Sequence, residues 1–215
     1  FGGRNAKVVF SDLWLLDATA GVWTQVEPIG PDRPSARHSH AAVDISPPEG
    51  IGAGSWIAVM LITGGLNVDE EPLNDVFVLE LRSSSSLSSA KQLQSGCCGS
   101  DADNTLHEGG TFVEARWRSL ERPRRPEHQL ARRFGHTAHV WRDGKVVLVG
   151  GVVLDPMAPG CEGPLELLSL GSADNLSHVA PTGVRCCRAI NAVPSSGNGS
   201  KPFLTHGHAS VLFGD

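Results

Sequence analysis

Tyrosine is absent from the 215 residues, and aromatic residues make up only 6% of them. Without a phenol the chain cannot supply a tyrosyl radical or a phenolate ligand, so a copper-radical oxidase site within it is excluded. No apolar run approaches the ~20 residues needed to span a bilayer, and no membrane partner is expected. Phe1-Gly2-Gly3-Arg4 lacks the charged region and apolar stretch of a signal peptide. The missing initiating Met predicts a native N-terminus further upstream. Cys-x-x-Cys is also missing. The five cysteines, Cys97, Cys98, Cys161, Cys186 and Cys187, form two vicinal pairs and a singlet. Neither zinc and redox spacings nor a secreted disulfide framework is present, so free thiols and cytosolic or nuclear residence are expected. Charge of one sign is not in excess either. A net charge of −5 and a pI near 6.0 argue against a dedicated nucleic-acid-binding domain. Apolar residues spaced by three and four are scarce, which predicts little helix.

What is present is a pattern of short strands. Hydrophobic residues reach 40%, enough for a buried core, and 25 glycines and 14 prolines punctuate the chain. Val, Ile, Leu, Phe and Trp sit in runs of four to seven, separated by Gly, Pro, Asp or Ser.

Self-comparison exposes a repeat. Gly-Gly occurs at Gly2-Gly3, Gly64-Gly65 and Gly150-Gly151. An apolar run precedes the last two pairs, at 56–62 and 145–149. Ser11-Asp12-Leu13-Trp14-Leu15-Leu16-Asp17 follows the first pair, and Asn74-Asp75-Val76-Phe77-Val78-Leu79-Glu80 follows the second. The Asp falls nine residues beyond Gly3 and ten beyond Gly65. Trp23 follows closely in one case, and Trp117 after a long insertion in the other. Upstream of the second and third pairs stand Arg37-His38-Ser39-His40-Ala41 and Arg133-Phe134-Gly135-His136-Thr137-Ala138.

This arrangement resembles the Kelch repeat. Gly-Gly permits a sharp backbone turn with positive φ. The strand after it packs against the next blade, and the Trp anchors the outer strand in the interface between blades. The resemblance implies an all-β, Kelch-type β-propeller, partial here, with about two full four-stranded blades plus a fragment at each end. Strands are expected at 12–17 and 22–26 in the first fragment (1–27). A second blade (37–120) takes 39–45, 56–62, 75–81 and 114–119. A third (133–180) takes 136–142, 145–149, 165–170 and 176–180, and 205–215 opens a fourth. Closed propellers need at least four blades, so a piece of a longer protein is expected. The Ser-rich segment 83–111 has the composition of a solvated, irregular insertion, as have 46–55 and 181–201.

The last third is similar to a narrower family. Lys145-Val146-Val147-Leu148-Val149-Gly150-Gly151 is followed by Leu165-Glu166-Leu167-Leu168-Ser169-Leu170, then by His206-Gly207-His208-Ala209-Ser210-Val211-Leu212. This order resembles the Kelch region of the wybutosine-synthesizing, leucine carboxyl methyltransferase 2 type family. The resemblance implies a parent that modifies phenylalanine tRNA using S-adenosyl-L-methionine, bound in a methyltransferase domain N-terminal to this stretch. No Gly-x-Gly loop after a strand, with an acidic residue further on, is present. Catalytic residues, a cofactor site and a metal site are therefore not expected here.

Four candidate features remain. His38 and His40, like His206 and His208, lie two apart, which on a strand places both imidazoles on one face. Each pair could supply half of a tetrahedral zinc site. No Cys or acidic residue stands at matched spacing, which favours a structural role. The vicinal cysteines fall in loop-like segments. The fourth feature is basic. Arg116, Arg118, Arg122, Arg124, Arg125, Arg132 and Arg133 are seven of the eighteen basic residues, offset by Glu114, Glu121 and Glu127. Guanidinium forks suit phosphates and stack on bases. Arg118, Arg122, Arg124, Arg125 and Arg132 are thus the candidate contacts to tRNA or to a partner, against the plainer reading of a solvated connector between blades. Two functions follow. One is a binding surface serving a tRNA methyltransferase, with its own methyltransferase domain as a partner. The other is a Kelch adaptor or scaffold for a protein partner.

Overall fold

A computed structural model describes residues 1–46, 56–83, 113–122, 129–141, 145–153, 165–171 and 183–190. Among these residues there is no helix, and the sheets are antiparallel.

The first unit is a hairpin, β1 (Trp14–Asp17) with β2 (Val22–Gln25). Its turn is closed by Asp17, whose Oδ1 accepts the backbone N–H groups of Thr19 and Ala20 at 2.8 and 2.9 Å. The second unit is a four-stranded sheet in sequence order: β3 (Ala41–Asp44), β4 (Trp56–Thr63), β5 (Val76–Ser83) and β6 (Val113–Ser119). After the two-residue β7 (Arg133–Phe134) comes a third unit built from β8 (Thr137–Trp141), β9 (Lys145–Val149), β11 (Leu165–Gly171) and β12 (Gly183–Ile190). The short β10 (Val152–Val153) returns to pair with β7.

Alternate residues of the inner strands feed two different cores. Val59, Leu61, Val76 and Val78 pack with Val146, Leu148 and Leu168 of the third unit, with Leu120 and Leu130 filling the junction. Their neighbours Ile62, Phe77 and Leu79 turn the other way, with Ala115 and Trp117, to meet Leu13 of the first unit. Burial on both faces explains why β4 and β5 read as continuous apolar runs and not as alternating ones. Each such side chain contributes about 1.5–3 kcal/mol when fully buried.

The glycine pairs hold the units together through one repeated set of bonds. Gly2 N–H donates to Asp12 O at 3.1 Å, and Gly64 N–H to Asp75 O at 3.3 Å. Gly3 N–H donates to Arg37 O, and Gly65 N–H to Arg133 O, both at 2.8 Å. Each second glycine is thus bonded to the arginine that opens the following unit. Gly64 has φ +63°, and a Cβ there would lie 2.9 Å from His136 Cε1 and against the Arg133 carbonyl. Only glycine fits.

Most expected strands lie within a residue or two of their places, and three placements change. The fourth strand of the third unit is Gly183–Ile190, inside the segment 181–201 expected to be an irregular insertion, and it pairs with β11 from Leu165↔Ile190 to Gly171↔Gly183, while the strand expected at 176–180 lies outside the described residues. Val184, Cys186, Cys187, Ala189 and Ile190 do not alternate with polar residues, and the Ser, Gly, Asn and Pro around them give the segment the composition of a loop. Cys186 and Cys187 consequently sit in a strand and not in a loop. Ser83 ends β5 instead of opening the insertion. The expected irregularity of that insertion, the segment 46–55 beyond Ser46 and the opening strand at 205–215 lie outside the described residues. Finally, Trp117 is 2% exposed and anchored as expected, while Trp23 is 61% exposed. Both pair across the strand with a leucine, Leu79↔Trp117 and Leu16↔Trp23. Among the described residues no further sheet covers the Trp23 face.

Candidate functional site

Arg37 precedes β3 and is fully buried. Its Nη1 and Nη2 donate to the Asp75 carboxylate at 2.5 and 2.7 Å, and Nη1 also donates to Gly64 O at 3.1 Å. Its guanidinium lies 5.6 Å from the centre of the Phe77 ring. Arg133 repeats the role one unit later, with Nη1 donating to Gly150 O at 2.5 Å. Arg133 therefore does not belong to the exposed basic stretch, as the sequence had suggested, because its carbonyl and guanidinium both serve the glycine junctions.

The other arginines divide. Arg118, on β6, donates from Nη2 to Glu80 Oε1 at 2.7 Å, and Glu80 is buried. Arg116 is exposed and lies over Gly30, where the chain leaving β2 runs alongside β6 through the Ile29↔Arg116 bridge. Arg122 and Arg132 are exposed on either side of segment 123–128. Arg124 and Arg125 lie outside the described residues. The structure thus leaves Arg116, Arg122 and Arg132 exposed, and holds Arg118 by a carboxylate. Glu80 was not singled out in the sequence. It sits opposite Arg116 in the register and reaches diagonally to Arg118, a contact that only the pairing reveals.

His38 and His40 do not share the face of a strand. Ser39 between them has φ +54°, which breaks the alternation before β3 begins. His38 is drawn to Leu66 by paired backbone bonds of 3.1 and 2.9 Å. His40 packs edge-on against Phe1, with ring centroids 5.7 Å apart. Its imidazole is held down to a pKa of about 4, chiefly by burial, then by the charges of Arg37, the N-terminal amine and His38. Among the described residues no group of three or more His, Cys, Asp or Glu is placed to hold a metal ion. His206 and His208 lie outside the described residues.

The glycine pairs also fail to fit a nucleoside cofactor. They turn back into antiparallel strands, and the space over Gly65 and Gly151 is filled by the histidines and the carbonyls of the adjoining segments. No step through S-adenosyl-L-methionine follows from these residues. No helix among the described residues is long and apolar enough to cross a membrane.

Comparison with known proteins bears on the repeat as a whole. The chain is 31% identical over 153 residues to tRNA wybutosine-synthesizing protein 4 of Rattus norvegicus, a match covering 71% of this chain. The Homo sapiens protein of the same name matches at the same identity over the same length. The chain is related to this family. It matches only 16% of the length of either relative. No protein-family model matches the chain.

Proposed function

We propose that the sheet units are Kelch-type blades of a partial β-propeller, and that they form a binding surface of a tRNA wybutosine-synthesizing protein. Its S-adenosyl-L-methionine-dependent methyltransferase domain would lie outside this chain. The observation that carries the reading is the repeated junction: glycine pair, buried arginine and histidine recur with the same bonds in successive units, within a chain related to that family. A surface assembled from rigid units suits positioning a large substrate better than doing chemistry on it.

The exposed Arg116, Arg122 and Arg132, together with Arg124 and Arg125, are assigned to the tRNA backbone. Arginine forks fit phosphates without requiring a particular base. Arg118 has Glu80 as its partner and contributes less.

The test compares the full-length protein with a version lacking this region, using unmodified phenylalanine tRNA and S-adenosyl-L-methionine separately. Weakened tRNA binding with cofactor binding intact supports the proposal. Unchanged tRNA affinity overturns it and leaves the surface to a protein partner, as in Kelch adaptors.

A further inference from the structure

The hairpin β1–β2 corresponds strand for strand to β5–β6. Gly2 N–H bonds to Asp12 O as Gly64 N–H bonds to Asp75 O, and Val26 N–H bonds to Leu13 O as Leu120 N–H bonds to Val76 O, the last two both at 2.9 Å. Asp12, Leu13 and Trp14 therefore stand where Asp75, Val76 and Phe77 stand. Their neighbours differ. β5 lies between β4 and β6, whereas among the described residues β1 pairs with β2 alone. Trp14 and Leu16 are 42% and 48% exposed, against 9% and 2% for Phe77 and Leu79. An apolar strand with an open edge is a template for a further strand.

Asp12 adds a charge requirement. In the second unit the carboxylate at this position holds Arg37 through both oxygens, and the same guanidinium bonds to Gly64 O and lies 5.6 Å from the centre of the Phe77 ring. The third unit repeats the bond from arginine to glycine carbonyl, Arg133 to Gly150. The first unit has the same acceptors. Gly2 has φ +66° against +63° at Gly64. Trp14 Nε1 donates to Asp12 Oδ2 at 2.7 Å, which fixes the half-buried carboxylate beside the indole. A carboxylate, a carbonyl and an aromatic ring together suit a guanidinium.

We propose that the open edge of β1 receives a strand pair from the sequence preceding Phe1, and that an arginine at the start of this pair binds Asp12 and the Gly2 carbonyl over the Trp14 ring. This rests on the reading of the sheet units as blades, not on the assignment to tRNA. The inner strand of the pair ends at Phe1, which precedes Gly2 as Thr63 precedes Gly64. It runs antiparallel to β1 opposite Leu13 to Leu16, as Met60 to Thr63 run opposite Leu79 to Val76. Arg37 lies 27 positions ahead of Gly64 and Arg133 lies 17 ahead of Gly150, which places the new arginine at a similar distance ahead of Gly2. A second copy of this chain has no equivalent arginine to give. Arg37 and Arg133 are buried in their own units, and threonine takes the place in Thr205-His206-Gly207-His208-Ala209.

The experiment follows amide hydrogen exchange in the full-length protein, with Asp75→Ala as the reference variant. Wild-type β1 should be protected on both edges, as β5 is. Asp12→Ala should speed exchange in β1 by ~100-fold, the effect of leaving a buried cation without its partner. Asp12→Asn, which keeps one acceptor, should speed it by ~10-fold and serves where the alanine variant does not fold. Replacing the arginine found at the stated distance should match Asp12→Ala, with no further loss in the double variant. Fast exchange along the outer edge of β1 in wild type, or unchanged exchange in both Asp12 variants while Asp75→Ala speeds β5, would overturn the proposal and leave the blades standing. Unchanged exchange in the Asp12 and Asp75 variants alike would overturn both.

Discussion

Arg37 and Asp75 meet in a two-pronged ion pair, 2.5 and 2.7 Å, with the arginine wholly out of solvent. The pair ties the turn before β3 to the turn before β5, and the same guanidinium caps the carbonyl of Gly64. Removing the carboxylate strands a buried cation. Asp75→Ala should lower stability by about 3–5 kcal/mol, measured by urea unfolding. A loss below ~1 kcal/mol would mean that water reaches the guanidinium.

Gly64 and Gly21 have similar dihedrals, φ +63° and +69°, but different surroundings. Nothing lies within 4 Å of a Cβ built at Gly21, whereas at Gly64 it meets His136 and the Arg133 carbonyl. Gly21→Ala should cost about 1–2 kcal/mol, the left-handed penalty alone. Gly64→Ala should cost distinctly more, because backbone of the next unit must move. Equal thermal unfolding midpoints for the two variants would contradict the junction geometry.

Trp117 and Trp23 offer a matched pair from equivalent positions. Trp117 packs edge-on against Phe1 and Phe77, with centroids 4.9 and 6.5 Å away. Trp117→Ala should destabilise by about 3–5 kcal/mol, and Trp23→Ala by about 0.5 kcal/mol or less. Chemical denaturation of both variants under one set of conditions decides it.

His40 links stability to pH. Its pKa falls from 6.5 to about 4 on folding, so the unfolded chain binds the proton more tightly. This contribution is fully present above pH 6.5 and is lost as pH falls toward 4, by about 3 kcal/mol at most. In His40→Gln, urea midpoints between those limits should slope less steeply than in wild type. An unchanged slope would place the acid sensitivity on other groups.

The strands were legible because turn residues and apolar runs are local signals, and Gly-Gly marked the ends of β4 and β9. The outer strand β12 was not, because Gly183–Ile190 is embedded in polar, turn-forming sequence and takes strand structure by pairing with β11. At the candidate site the arginines were visible as a cluster. Their division was not: Arg133 is buried where it bonds to Gly150, and Arg118 is held by Glu80, 38 positions away. Ser39 carried no signal of its own, since its strain shows only as a dihedral angle.

The exposed arginines carry the functional proposal. Binding to phosphates releases counterions, so tRNA affinity should fall steeply with salt. Replacing Arg122, Arg124 and Arg125 by Ala should weaken phenylalanine tRNA binding and flatten the salt slope by about one unit for each phosphate no longer neutralised. Folding should be nearly unaffected, within ~0.5 kcal/mol. Arg118→Ala, already engaged by Glu80, should change the slope less. The decisive measurement is a binding titration of the full-length protein at several salt concentrations, wild type against the triple variant. A weaker, flatter dependence in the variant is the predicted result. Identical affinities and slopes would contradict the proposal and leave this segment a solvated connector between sheets.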